Sequence, residues 1–94
     1  MIDRFKNNQT FSIYEGKALK GISLELAKQA KRKIALVLTA TRLDDLRVPP
    51  GNRLEKLEGN RKGQHSIRVN DQWRVCFTWR DGQAEAIEWC DYHG

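Results

Sequence analysis

The residues best suited to proton transfer stand together at the carboxy end of this chain: Asp91, Tyr92 and His93. Histidine gains or loses a proton near neutral pH without any perturbation, so His93 suits acid/base work. A tyrosine hydroxyl titrates near pH ~10 and needs an adjacent cation to act as a base; otherwise it can orient a nucleophile or substrate. Arg74 is the candidate cation, provided that the fold carries it to the end of the chain. The two cysteines, Cys76 and Cys90, have no metal-ligand spacing with His65 and His93. Two free thiols are expected, and neither a metal nor a cofactor.

The elements that must deliver these groups are legible in the periodicity. Residues 1–5 read as a short strand and 7–14 as a short helix. Ser23 is a natural amino-terminal cap for a long helix, in which Ala27, Ala30, Ile34, Val37, Leu38 and Thr41 recur at helical spacing. Lys28, Lys31, Arg32 and Lys33 fall largely on its other, wet side. Leu43 and Leu46 continue the pattern as a last helical turn, until Pro49, Pro50 and Gly51 end it. Residues 48–63 then read as a basic loop punctuated by glycines.

Beyond Gly63 the period changes to two. Ile67 and Val69, then Trp73, Val75, Phe77 and Trp79, then Ile87 and Trp89 mark one face of three antiparallel strands. Asn70-Asp71-Gln72 and Asp81-Gly82-Gln83 read as three-residue turns. That register sets Val69 opposite Trp73, Ile67 opposite Val75, Phe77 opposite Ile87 and Val75 opposite Trp89, apolar against apolar. His65 falls on the Ile67 side, as a half-buried or edge histidine.

The same register gathers Ser66, Arg68, Arg74, Cys76, Glu88, Cys90 and Tyr92 on the opposite face, with Arg68 directly across from Arg74. Like charges in that position destabilise a sheet. Either an anion such as a phosphate sits between them, with Glu88 neutralising part of the charge, or both arginines are solvated on an open face. Strict alternation turns His93 away from Tyr92, so the chain must leave strand geometry for both to share a site.

Ninety-four residues make one domain, residues 1–94, with room for one helix-on-sheet core. Seventeen Lys and Arg against twelve Asp and Glu leave a net charge of +5, which favours a polyanionic partner. Arg47, Arg53, Lys56, Arg61 and Lys62 could grip the phosphates of a single strand alongside Arg68, or form an ordinary solvated loop. Cleavage of RNA needs only a 2′-hydroxyl aligned with the neighbouring phosphate, one proton removed, one donated and the added negative charge stabilised. Arg74, Asp91, Tyr92 and His93 could do this without metal. No apolar run of about eighteen residues and no signal peptide are seen, so a cytoplasmic protein with no membrane contact is expected.

Three stretches carry a resemblance that composition does not supply: residues 46–57 (LRVPPGNRLEKL), residues 63–77 (GQHSIRVNDQWRVCF) and the terminal Asp91, Tyr92 and His93. In order and type they resemble the HigB branch of the RelE superfamily, the plasmid maintenance system killer proteins. The resemblance implies a small RelE-like α+β fold, an antiparallel sheet packed under an amino-terminal helical hairpin. It implies the toxin of a type II toxin–antitoxin pair, a metal-independent endoribonuclease that cuts messenger RNA in the decoding site of the small ribosomal subunit and inhibits translation. It further implies a HigA-like helix-turn-helix antitoxin as partner, and contact with DNA only through that antitoxin.

Matched position by position, Arg74, Asp91, Tyr92 and His93 fall on the family's active-site residues. Two positions depart from the pattern: Glu58, where the family is usually basic, and Glu55, where some relatives carry a catalytic histidine. These acids leave open a second reading, a catalytically weak or inactive basic module that binds RNA, the ribosome or the antitoxin. A DNA-binding regulator is disfavoured, because no helix-turn-helix pattern occurs.

Overall fold

A computed structural model describes residues 2–17 and 19–91. Helix α1 (Asn8–Tyr14) begins where the Asn7 side chain accepts from the Thr10 amide, and helix α2 (Leu24–Thr39) where Ser23 accepts from the Leu26 amide. Each cap satisfies an otherwise unpaired donor and is worth ~1 kcal/mol. Four antiparallel strands follow, β1 (Glu55–Lys56), β2 (Gln64–Arg68), β3 (Trp73–Arg80) and β4 (Gln83–Asp91), in the order β1-β2-β3-β4. The α+β layout expected from the sequence is the one observed. No helix among the described residues is long and apolar enough to cross a membrane.

The core lies between the helices and one sheet face. Ile34, Val37 and Leu38 of α2 and Ile13 of α1 pack on Ile67, Val75, Phe77, Ile87 and Trp89, all buried. Trp73 stacks on Trp89 with ring centroids 4.6 Å apart, which closes the core near the end of β4. Thr10 is fully buried where α1 meets that strand. Its hydroxyl donates to Asn7 Oδ1 at 2.7 Å and accepts from the Trp89 amide at 2.9 Å, so one side chain ties the helix cap to β4 two residues before Asp91.

Five details differ from the sequence reading. Residues 2–4 form a single 3-10 turn rather than a strand. Arg4 donates twice to the Ala84 carbonyl, at 3.0 and 2.8 Å, and Phe5 makes one parallel bridge to Ile87. The segment caps the β4 edge at an irregular point, where a longer ladder cannot run. Leu43–Arg47 is a separate 3-10 turn rather than the end of α2, since Ala40 already lies in extended geometry. The basic loop after it contains β1, whose two residues are too few to show a period.

The last hairpin is also tighter than three residues. Arg80 pairs with Gln83, so only Asp81 and Gly82 turn, at φ 54° and 79°. Both lie in the left-handed region that a type I′ turn requires. A bulge at Ala86, φ 51°, then shifts the ladder by one between the Thr78–Glu85 and Cys76–Glu88 pairs. The expected Phe77–Ile87 pair falls at this irregularity and is not in the ladder; beyond it the register is the expected one, with Val75 opposite Trp89, Ile67 opposite Val75 and Arg68 opposite Arg74.

Candidate active-site cleft

The sheet face away from the helices is not open. β1 pairs with β2 through Glu55–Ser66 and Lys56–His65, and this folds the segment after Arg53 over that face. Leu57 packs on Cys76 and Cys90 in a small second apolar cluster. The Gly59–Arg61 turn brings Arg61 to Glu88 and Gln64, each at 3.0 Å. Between this segment and the end of β4 lies a cleft of about 440 Å³, lined by Glu55, Lys56, Leu57, Glu58, Arg61, Cys76, Cys90 and Asp91.

Arg74 is buried, 5% exposed, and does not itself line the cleft; it lies behind Glu55, which does. Its Nε donates to Ser66 Oγ at 2.6 Å, its Nη2 donates to the Arg53 carbonyl at 2.8 Å, and Glu55 Oε2 lies 3.6 Å from Nη2. A buried guanidinium costs several kcal/mol of desolvation, which only such a set of acceptors can offset. A solvated Arg74 is therefore excluded. Arg68 turns instead to Asp71, an ion pair in the adjoining turn, so each of the two like charges has a carboxylate of its own. Glu88 neutralises Arg61 rather than this pair.

The expected site residues are thus only partly brought together. Asp91 lies in the cleft wall and accepts from Gln72 Nε2 at 3.1 Å; Tyr92 and His93 lie outside the described residues. Of the basic group, Lys56 and Arg61 line the cleft. Arg47, Arg53, Lys62 and Arg68 are not in its lining. Arg47 is exposed beside Asp44 at 3.1 Å, a surface pair worth ~0–1 kcal/mol at most. Glu55, Glu58, Cys76 and Cys90 complete the lining. Strand alternation had already put both cysteines on this face.

The charges modify one another. The Glu88 carboxylate holds the Arg61 guanidinium above its usual value. A hydrogen bond from the Cys90 thiol lowers Cys76, helped by Arg61 and Arg74, while the same contact and burial push Cys90 up. His65, across the sheet, stacks on Phe77 at 6.0 Å, and burial together with Lys56 lowers it. It is the half-buried histidine that its position implied.

This architecture is that of the small RelE-like α+β domains. Its likeness to a chain of the YoeB–YefM complex from Staphylococcus aureus has a TM-score of 0.59 at 22% identity, covering 94% of this chain and 92% of the other. Residues 3–93 match the RelE-like toxin of type II toxin–antitoxin system HigB, and the chain belongs to that family. It is 57% identical to Toxin HigB-1 of Vibrio cholerae over 53 residues, a segment spanning 56% of each chain. It is 29% identical to Endoribonuclease HigB of Proteus vulgaris over 97 residues, covering 99% of this chain and 100% of that one. An uncharacterized protein of Haemophilus influenzae is 30% identical over 86 residues, covering 90% and 85%.

Proposed function

We propose that this chain is the toxin of an antitoxin-controlled pair and acts as a ribosome-dependent, metal-independent endoribonuclease. The observation that carries the reading is the composite cleft, in which the end of β4 brings Asp91 beside Lys56 and Arg61 with Arg74 fixed behind Glu55. Tyr92 and His93 follow Asp91 directly in the sequence. His93 serves in acid/base duty, Tyr92 and Asp91 orient or assist, and Arg74 stabilises charge on the phosphate. The Glu55 carboxylate beside Arg74 marks the place for that anion. A substrate phosphate taking this place meets a guanidinium already oriented by Ser66 and Arg53.

In this reading Lys56 and Arg61 hold the RNA strand at the cleft, with Arg47, Arg53, Lys62 and Arg68 contacting phosphates beyond it. The messenger on the small-subunit decoding site is the substrate. A HigA-like helix-turn-helix antitoxin is the partner, in the cytoplasm, and links the pair to DNA. The test is a purified translation system: message is cut only while translated, cutting survives a transition-metal chelator that leaves ribosomal Mg²⁺ in place, and Arg74→Ala or His93→Ala abolishes it. Urea unfolding of each variant beside the parent separates loss of cutting from loss of fold. Cutting unaffected by both substitutions overturns the site.

A second reading has one observation in its favour. Glu55, Glu58 and Asp91 set three acids against Lys56 and Arg61 in the lining, so the cleft is less basic than the chain. A binding module without catalysis would bind ribosomes and leave the message intact.

A further inference from the structure

The cleft floor holds two thiols that the proposed reaction does not use. Cys76 pairs with Glu88 and Cys90 with Arg74, so the cysteines are diagonal neighbours on one face of β3 and β4. Both are unbonded to other sulfurs and almost wholly buried, at 2% and 6% exposure, yet both line the cleft. Leu57 covers them from one side, and Arg61 stands beside them.

We propose that Cys76 and Cys90 form a two-sulfur binding site for a thiophilic centre of the trivalent-arsenical class, which bridges both sulfurs and closes the cleft. The diagonal of an antiparallel ladder typically sets Cβ atoms somewhat under ~7–8 Å apart. A disulfide needs ~3.5–4.5 Å, so a direct S–S bond requires the strands to shift. One bridging atom lengthens the reach between the two sulfurs, so it requires less movement than a direct S–S bond.

Among the described residues no group of three or more His, Cys, Asp or Glu side chains can hold a metal ion, so the site suits a centre content with two protein ligands. The reaction balances without an oxidant. An organoarsenic oxide loses its As–O double bond, two As–S bonds form, and both thiol protons leave with the oxygen as one water. Thiolate is the attacking species, and Cys76 is the sulfur placed to supply it first, favoured by its Cys90 neighbour and then by Arg61 and Arg74.

The bound group lies between Arg61 and Asp91, where RNA is placed by the function proposed above; only the inhibitory consequence rests on that reading. The test uses the full chain, reduced, with stoichiometric phenylarsine oxide, followed by desalting and intact-mass measurement. One adduct per chain, with one water lost, is expected to survive excess monothiol and to be removed by a dithiol. Cys76→Ser and Cys90→Ser chains are expected to lose the adduct to monothiol. Retention by either variant equal to the parent overturns the bridge, as does uptake by the parent in urea but not when folded.

The desalted adduct is then compared with untreated protein for messenger cleavage. Loss of cleavage supports closure, and unchanged cleavage overturns it. If the adduct forms but untreated protein cuts no message, the functional reading fails while the dithiol site stands. If untreated protein cuts and no adduct forms, the dithiol site fails alone.

Discussion

Nη2 of Arg74, the second residue of β3, donates to the backbone carbonyl of Arg53 across 2.8 Å and twenty-one positions of sequence. The bond fastens the start of the cleft segment to the sheet, while Nε of the same side chain holds Ser66 at 2.6 Å. Arg74 is therefore an anchor as well as a candidate for phosphate stabilisation. Arg74→Lys keeps the charge but lacks the planar fork that reaches both acceptors. We predict a stability loss of ~2–4 kcal/mol by urea unfolding. A loss below the resolution of that measurement would show that the bonds contribute little.

Thr10 anchors the other end of the site. In Thr10→Val the shape is kept but the Trp89 amide loses its acceptor in the core. An unsatisfied buried donor costs ~1–3 kcal/mol, and unfolding should report a loss in that range. Hydrogen exchange at the Trp89 amide should accelerate more than at Val75 in the neighbouring strand.

His65 gives the stability a pH dependence of definite sign. Burial and Lys56 depress its folded-state value below the ordinary 6.5, so the unfolded chain binds the proton more readily. Stability contributed by neutral His65 is present above the unfolded value and is lost as pH falls below it. The urea midpoint should fall on acidification from pH 7.5 to about 5.5, and His65→Gln should show a shallower fall. Parallel curves for the two proteins would remove His65 as the cause.

Arg61 and Glu88 are paired at 3.0 Å beside the proposed RNA path. Glu88→Gln frees the guanidinium for phosphate, so single-stranded RNA should bind more tightly. Arg61→Ala should weaken binding and reduce the salt slope by about one. Fluorescence anisotropy at several salt concentrations separates the two. Equal slopes for parent and Arg61→Ala would place Arg61 off the path.

Much of this was legible in the sequence, and what was not has physical causes. The Ser23 cap, the helical stripe of α2 and the alternation through Val75 and Phe77 are local signals, so the core and the register near Arg74 could be derived. The bulge at Ala86 was hidden because a tighter turn and an extra residue cancel: the Val75–Trp89 pair is the same whether the turn has three residues or two. β1 was hidden because two residues carry no period. For the site, alternation correctly grouped Ser66, Arg74, Cys76 and Cys90, but not that residues 53–63 cover them. That depends on the contacts of Arg53 with Arg74 and of Leu57 with the cysteines, which join distant stretches of chain.

On the function proposed above, this cleft, with the residues that follow Asp91, cuts translated messenger by attack of the RNA's own 2′-hydroxyl. The most direct measurement is the chemistry of the ends left in a purified translation reaction. We predict a 2′,3′-cyclic phosphate upstream and a 5′-hydroxyl downstream, both absent with His93→Ala. Message that remains whole on ribosomes bearing the protein, or ends carrying a 5′-phosphate, would contradict it.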